Sequence, residues 1–164
     1  MEMRKAVEEA RLLRKECYRL MMLESAEDGY EDYSVQEFQA EREGLPEKAE
    51  RILDYLDCRS RSMEPEEEAE LLLAAFAALN AGFRDYELSV RAVEKAERLL
   101  RELPNGRTRL HLLTFLYMET GEEEMQEEME RAWDTWGKNE CRLTQEDIYI
   151  KEIYQIMKEA ILFG

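Results

Sequence analysis

The chain has few side chains that could combine into a catalytic site. His111 is its only histidine, so sites that need two histidines are excluded, including the carboxylate-bridged di-iron sites of helical bundles. A dyad of His111 with a carboxylate or a cysteine remains as a route to acid–base or nucleophilic chemistry. His111 lies within the apolar stretch RLHLLTFLYM, however, and this setting favours a partly buried, hydrogen-bonded histidine over a catalytic base.

Other catalytic and ligand-binding signatures are missing from the sequence. It contains no GxxxxGK[ST], GxGxxG or GxSxG motif, which argues against a phosphate loop or a nucleophile elbow. Cys17, Cys58 and Cys141 are odd in number and widely spaced, so they predict neither a disulfide framework nor a zinc site. We therefore expect no enzyme, no cofactor, and no catalytic, cofactor-binding or metal-binding residue.

Glutamates are concentrated in two short runs, with five between Glu64 and Glu70 and seven between Glu119 and Glu130. Neither run has the staggered Asp and Asn with a loop glycine that a calcium site needs. The simpler interpretation is solvated helix faces, and the alternative is a docking surface for a basic protein. The candidate partner-binding residues are Glu66, Glu67, Glu70, Glu122, Glu123, Glu127 and Glu128.

The net charge of −16 supports a protein partner over a nucleic acid. An acidic surface repels phosphate and attracts basic proteins. The N-terminus lacks the apolar segment of a signal peptide, and the longest apolar run, residues 71–79, is about half of what a membrane span needs. We therefore expect a cytoplasmic location, without contact to membrane or direct contact to nucleic acid.

The composition predicts an all-α fold, because helix formers dominate and the 164 residues include only seven glycines and three prolines. We expect a single domain of about six to seven helices, packed as successive antiparallel hairpins around a central apolar helix. That central helix should begin at Pro65 and end at Gly82. Asn80 should then bond backbone groups where this helix stops.

The remaining helices are predicted from apolar spacing and from turn and capping residues. Residues 1–27 should form a charged helix that could be semi-independent of the rest. Capping boxes are predicted at Ser34–Glu37 and, with an aspartate in the fourth place, at Thr144–Asp147. The other helices are expected at about residues 46–57, 87–103, 107–120, 122–136 and after 144. Helix starts near 65, 107 and 145 are too unevenly spaced for a regular tetratricopeptide array.

Two questions stay open at the level of sequence. Trp133 and Trp136 share a helix face, which fits core packing but would also suit an exposed interface anchor. The first helix carries an apolar stripe with steps of three and four, so a helix-mediated dimer is compatible with it. The oligomeric state is therefore not predicted.

Several segments in a shared order resemble a known family. They are DGYEDYSVQEF (28–38), EEEAELLLA (66–74), NAGFRD (80–85), LRELP (100–104), LLTFLYMETGEEEMQEE (112–128), WDTW (133–136) and LTQEDIYIKEIY (143–154). Over about residues 28–155, the chain resembles the UpxZ-type transcription anti-terminator antagonists of capsular polysaccharide loci. The resemblance implies a protein that inhibits NusG-like anti-terminators by contact, so that few capsule loci are expressed together.

Two mechanisms follow as expectations. The glutamate-rich helix starts could cover a basic surface of the anti-terminator and exclude its target, and such binding should weaken as salt rises. The alternative is a generic tetratricopeptide-like helical scaffold that binds a peptide or protein partner in an exposed apolar groove.

Overall fold

The computed structural model describes residues 3–25, 42–59, 63–82, 85–137 and 143–163 of the chain. Within these ranges every regular element is an α-helix, which confirms the predicted fold class. The predicted capping box at Ser34–Glu37 and the cysteine at position 141 lie outside the described residues. The helices are α1 (Met3–Ser25), α2 (Leu45–Arg59), α3 (Pro65–Ala81), α4 (Tyr86–Leu100), α5 (Arg107–Thr120), α6 (Glu123–Gly137) and α7 (Gln145–Phe163).

Helix α3 is the centre of the fold, as its composition predicts. Every residue from Leu71 to Leu79 is buried, because α3 packs against α1, α2, α4 and α5. A helix that is apolar on all sides can be stable in water only when neighbours cover all of its faces. The first turn begins at Pro65 and carries Glu66, Glu67 and Glu68, which complement the helix dipole.

Helices α5 and α6 form an antiparallel hairpin. Thr120 at the end of α5 donates to the Met125 sulfur at the start of α6, whereas the His111 ring, nearer the start of α5, stacks on Trp133 towards the end of α6. The helices α3 and α5 run in the same direction, since the Asn80 amide lies 3.5 Å from a Glu119 carboxylate oxygen at their last turns. Starts at residues 65, 107 and 145 agree with the predicted irregular spacing.

Helix α1 packs along α3 and uses most of its apolar stripe inside the chain. Ala6, Ala10, Cys17 and Leu20 are buried in the common core. The Arg11 guanidinium donates to both carboxylate oxygens of Glu70, which joins α1 to the first turns of α3. Most of the apolar stripe of α1, which was compatible with a dimer, is therefore buried within the chain itself.

Local sequence signals explain where the helices begin and end. Asp85 caps α4 by accepting from the Leu88 amide, and Gly121 ends α5 in the left-handed conformation. The prediction that α4 extends to Leu103 was wrong by three residues. After Leu100 the chain forms a tighter turn, in which the Glu102 and Leu103 amides both donate to the Leu99 carbonyl. Pro104 then disfavours a helical conformation at Leu103, whose side chain is still buried in the core.

Gly82 is needed for close packing and not for an unusual backbone conformation. Its φ is −91°, so it is not the left-handed glycine that usually follows a helix. A Cβ atom at this position would lie 2.9 Å from the Ala78 carbonyl oxygen and 2.9 Å from the Leu45 Cβ. The end of α3 and the start of α2 therefore approach too closely for any side chain.

We predict that Gly82→Ala lowers the free energy of unfolding by about 1–3 kcal/mol, because the backbone must shift to relieve the overlap. Gly106→Ala is the matched control, since a Cβ there meets nothing within 4 Å and its φ of 167° is extended. Urea unfolding of both variants measures the difference. Equal stabilities of the two variants would contradict the packing argument.

No helix in the described part of the chain is both long and apolar enough to span a membrane. The same residues contain no group of three or more His, Cys, Asp or Glu side chains arranged to hold a metal ion.

Candidate protein-interaction surfaces

The start of α6 exposes a group of carboxylates that we call the α6 acidic patch: Glu122, Glu123, Glu124 and Glu127. All four side chains are exposed. The predicted partner residue Glu128 differs from them, because it pairs with Arg109 at 2.6 Å and is less exposed. The patch therefore holds three of the predicted residues, Glu122, Glu123 and Glu127, in a position to meet another protein.

The glutamates at the start of α3 are less available. Glu66 is exposed and Glu67 is half-buried, but Glu70 is held by Arg11 at 2.8 Å. Glu68 is buried, and this burial raises the pKa of its carboxyl despite the nearby charge of Arg98. A carboxylate that is already paired or buried contributes less to the attraction of a partner.

The structure does not bring the two glutamate groups together. The last turns of α3 and α5 are adjacent through Asn80 and Glu119, and the α6 acidic patch follows directly after α5. Glu66 is at the opposite end of α3, which has 17 residues and is therefore about 25 Å long. A partner that covers both groups must extend along the whole central helix.

A third surface is an apolar groove between α1 and α2. Both helices pack on α3 but make few contacts with each other, which leaves a groove of about 770 Å³. Ala6, Ala10 and Leu71 lie in its floor, and Leu13 and Ile52 line its walls. An exposed apolar groove is the feature expected of a peptide-binding scaffold, but its position could not be predicted from the sequence. The local sequence feature that points to the groove is Leu12, an apolar residue beside the apolar stripe of α1. In the structure the Leu12 side chain is 68% exposed.

His111 belongs to an ionic cluster with Asp147, Arg107 and Thr144, in which the side chains of His111 and Asp147 are buried. Its Nε2 atom lies 2.5 Å from an Asp147 carboxylate oxygen, and its side chain is 2% exposed. Asp147 also accepts from Arg107 Nε at 2.9 Å and from the Thr144 amide at 2.8 Å. The Thr144 hydroxyl accepts in return from the Asp147 amide, which confirms the predicted capping box.

The cluster keeps Asp147 ionised. Burial by itself would raise the pKa of this carboxyl, but hydrogen bonds from His111, the Thr144 backbone and Arg107 hold the pKa well below its ordinary value. His111 lines neither the apolar groove nor the smaller surface pocket beside Trp136. The expectation of a hydrogen-bonded, buried histidine is therefore confirmed, and its partners account for it as a structural group.

Asn80 and the two tryptophans also have contacts within the fold. Asn80 donates to the Phe76 carbonyl at 2.8 Å, as predicted for a residue at the helix end. Trp133 is buried, and its indole N–H donates to the Thr114 hydroxyl at 3.0 Å. Trp136 is half-buried beneath the Arg107 guanidinium. Neither tryptophan is a fully exposed interface anchor.

Among solved structures, the chain is similar to the crystal structure of a transcription anti-terminator antagonist, UpxZ from Bacteroides uniformis. The TM-score is 0.68, and the match covers 94% of this chain and 92% of that one. The chain has an UpxZ-like fold. No protein-family model matches the sequence, and no curated protein matches it.

The structural match covers more of the chain than the family resemblance in the sequence does. That resemblance extends over about residues 28–155. The sequence identity is 23%, so what the two proteins share is the UpxZ-like fold. The fold class predicted from the sequence and the fold of the suspected family are thus the same.

Proposed function

We propose that this protein is a non-enzymatic, cytoplasmic regulator that binds a NusG-like transcription anti-termination factor and so represses heterologous capsular polysaccharide loci. The observation that carries the proposal is the UpxZ-like fold, which matches a transcription anti-terminator antagonist over nearly the whole length of both chains. The proposal requires only protein contact and no covalent chemistry.

The charge of the chain supports this mode of action. With a net charge of −16, it attracts a basic protein and repels the phosphates of DNA and RNA. An anti-terminator that engages the transcript or the polymerase is expected to present a basic surface. Covering that surface with carboxylates would compete with its normal target and would leave the factor inactive.

Among the predicted contact residues, the α6 acidic patch is the best supported. Its side chains are exposed, and binding would not first have to break the ion pairs that hold Glu70 and Glu128. We place Glu122, Glu123 and Glu127 at the centre of the contact. Glu66 and Glu67, at the other end of α3, would form a second and weaker contact with an elongated partner.

The partner can be identified by affinity purification of the tagged protein from cells that express several capsule loci, followed by mass spectrometry. Enrichment of a NusG-like factor over an untagged control supports the proposal. If neither such a factor nor any other transcription component is recovered, the proposed function is wrong.

We predict that changing Glu122, Glu123 and Glu127 together to lysine weakens binding to the anti-terminator by about tenfold or more. Each exposed ion pair contributes roughly 0.2–1 kcal/mol, and reversal replaces attraction with repulsion at three positions. The change should act mainly on the association rate, and the difference should shrink between about 50 and 300 mM salt.

The matched control changes three exposed glutamates on α4, Glu87, Glu94 and Glu97, to lysine. Both triple variants have the same net charge, so the comparison separates a local contact from general attraction. Circular dichroism verifies that each variant keeps its helical content. Equal loss of affinity in the two variants would remove the α6 acidic patch as the contact surface.

A further inference from the structure

We propose that the apolar groove between α1 and α2 binds an amphipathic α-helix of a partner protein, with basic side chains toward α1 and acidic side chains toward α2. This proposal shares one premise with the proposed function, namely that the chain acts by contact with another protein. It adds a surface that is separate from the α6 acidic patch and is chemically different from it.

The walls of the groove determine that the occupant is helical. Both walls are α-helices, whose backbone N–H and C=O groups are bonded within each helix. An extended peptide would find no strand edge with which to pair, and its own backbone groups would lose water without gaining partners. A helix satisfies its backbone internally and can offer an apolar stripe, as in other helix-in-groove complexes.

The length of the groove fits such a helix. On α1 the lining extends from Ala6 to Leu20, which corresponds to about 21 Å or four helical turns. A volume of about 770 Å³ accommodates the apolar side chains of one helix face. Leu12 stands at the open edge with 68% of its surface exposed, where a bound helix would cover it.

The two edges of the groove carry opposite charges. Glu9 and Glu16 lie on α1, and Lys48 and Arg51 lie on α2. The close ion pairs of Glu16 and Arg51 are with Arg19 and Glu47 on their own helices, in exposed contacts that contribute little and can be exchanged, and Glu16 also feels the charge of Lys48 across the groove. A helix with lysines or arginines on one flank and carboxylates on the other therefore matches the groove and is oriented by it.

A direct test uses a model peptide and no anti-terminator. The probe is a fluorescent peptide of about fifteen residues, stapled as a helix on its polar face, with a leucine stripe, lysines on one flank and glutamates on the other. Its net charge is zero, so the overall charge of the protein does not drive binding. Fluorescence anisotropy should show saturable binding to the full chain.

The variant Leu12→Glu should weaken peptide binding at least tenfold, because it places a charge in the apolar contact without removing a buried side chain. Tyr86→Glu is the control, since Tyr86 is 76% exposed and lies on α4, outside the groove. It should leave binding unchanged. A photo-crosslinker at position 12 should capture the peptide.

Three results would overturn the proposal. They are the absence of peptide binding to the wild-type chain, equal binding by Leu12→Glu, and a crosslink within the chain itself or to a second copy. The last result would show that the chain fills its own groove or dimerises through it, which sedimentation analysis would distinguish. Failure of the anti-terminator to bind would contradict the proposed function and would leave the peptide result unaffected.

Discussion

Replacing Asp147 with asparagine should lower the free energy of unfolding by about 3 kcal/mol at neutral pH. The carboxylate is fully buried and accepts hydrogen bonds from His111, Arg107 and the Thr144 amide. An amide of the same size replaces one acceptor oxygen with a donor and removes the negative charge that these donors face. We place the effect at the low end of the range for broken buried pairs because Arg107 remains partly exposed to water.

The pH dependence separates the charge from the shape of the side chain. Because the folded-state pKa of Asp147 is lowered, its contribution is present above the unfolded pKa of about 3.9 and is lost as the pH falls through the folded value. The stability difference between wild type and Asp147→Asn should therefore be largest near pH 7 and should shrink below about pH 4.

Urea unfolding of both proteins at several pH values tests this prediction. Asp134→Asn serves as the control, since Asp134 lies on the exposed side of α6 and should change stability by less than about 0.5 kcal/mol. A stability difference for Asp147→Asn that stays constant down to pH 3 would show that the charge is not the cause.

The origin of this cluster shows what the sequence could predict. The capping box at Thr144 and Asp147 is a local pattern of four residues, so it could be recognised directly. The bond between Asp147 and His111 joins residues that are 36 positions apart, and no local pattern encodes it. His111 could be predicted to be buried and bonded, but its partner depends on how α5 and α7 are placed.

The same distinction applies to the candidate surfaces. The helix starts could be predicted because proline, glutamate and glycine act within one or two turns. The ion pairs of Glu70 with Arg11 and of Glu128 with Arg109 could not be predicted, because each pair joins two different helices. The groove could not be predicted for a related reason: it is the space left where α1 and α2 both pack on α3 and make few contacts with each other.

The two proposed surfaces place different demands on the fold. The α6 acidic patch needs only exposed carboxylates near one helix end, so it should tolerate changes in the core. The groove exists only while α1 stays at a fixed distance from α2. Its geometry therefore depends on the contacts that hold α1, which are its packing along α3 and α7 and a row of three aromatic rings shared with α3 and α5.

Replacing Phe115 with alanine should lower the free energy of unfolding by about 3–5 kcal/mol. Phe115 is fully buried on α5, and its ring stacks on Tyr18 of α1 at 6.3 Å and on Phe76 of α3 at 6.0 Å. Alanine removes the middle ring and leaves a cavity between three helices. Phe115→Leu should cost less, because leucine fills more of the space, and Tyr86→Ala is the exposed control.

The Phe115→Ala variant should also reveal which helix depends most on the row of rings. Tyr18 loses its stacking partner, and α1 is then held by its remaining contacts with α3 and α7. Hydrogen exchange should therefore rise more for the amides of α1 than for those of α4, and the helical peptide should bind the groove more weakly. The proposed binding of an anti-terminator through the α6 acidic patch should change less. A uniform rise in exchange with unchanged peptide binding would show that α1 is positioned by other contacts.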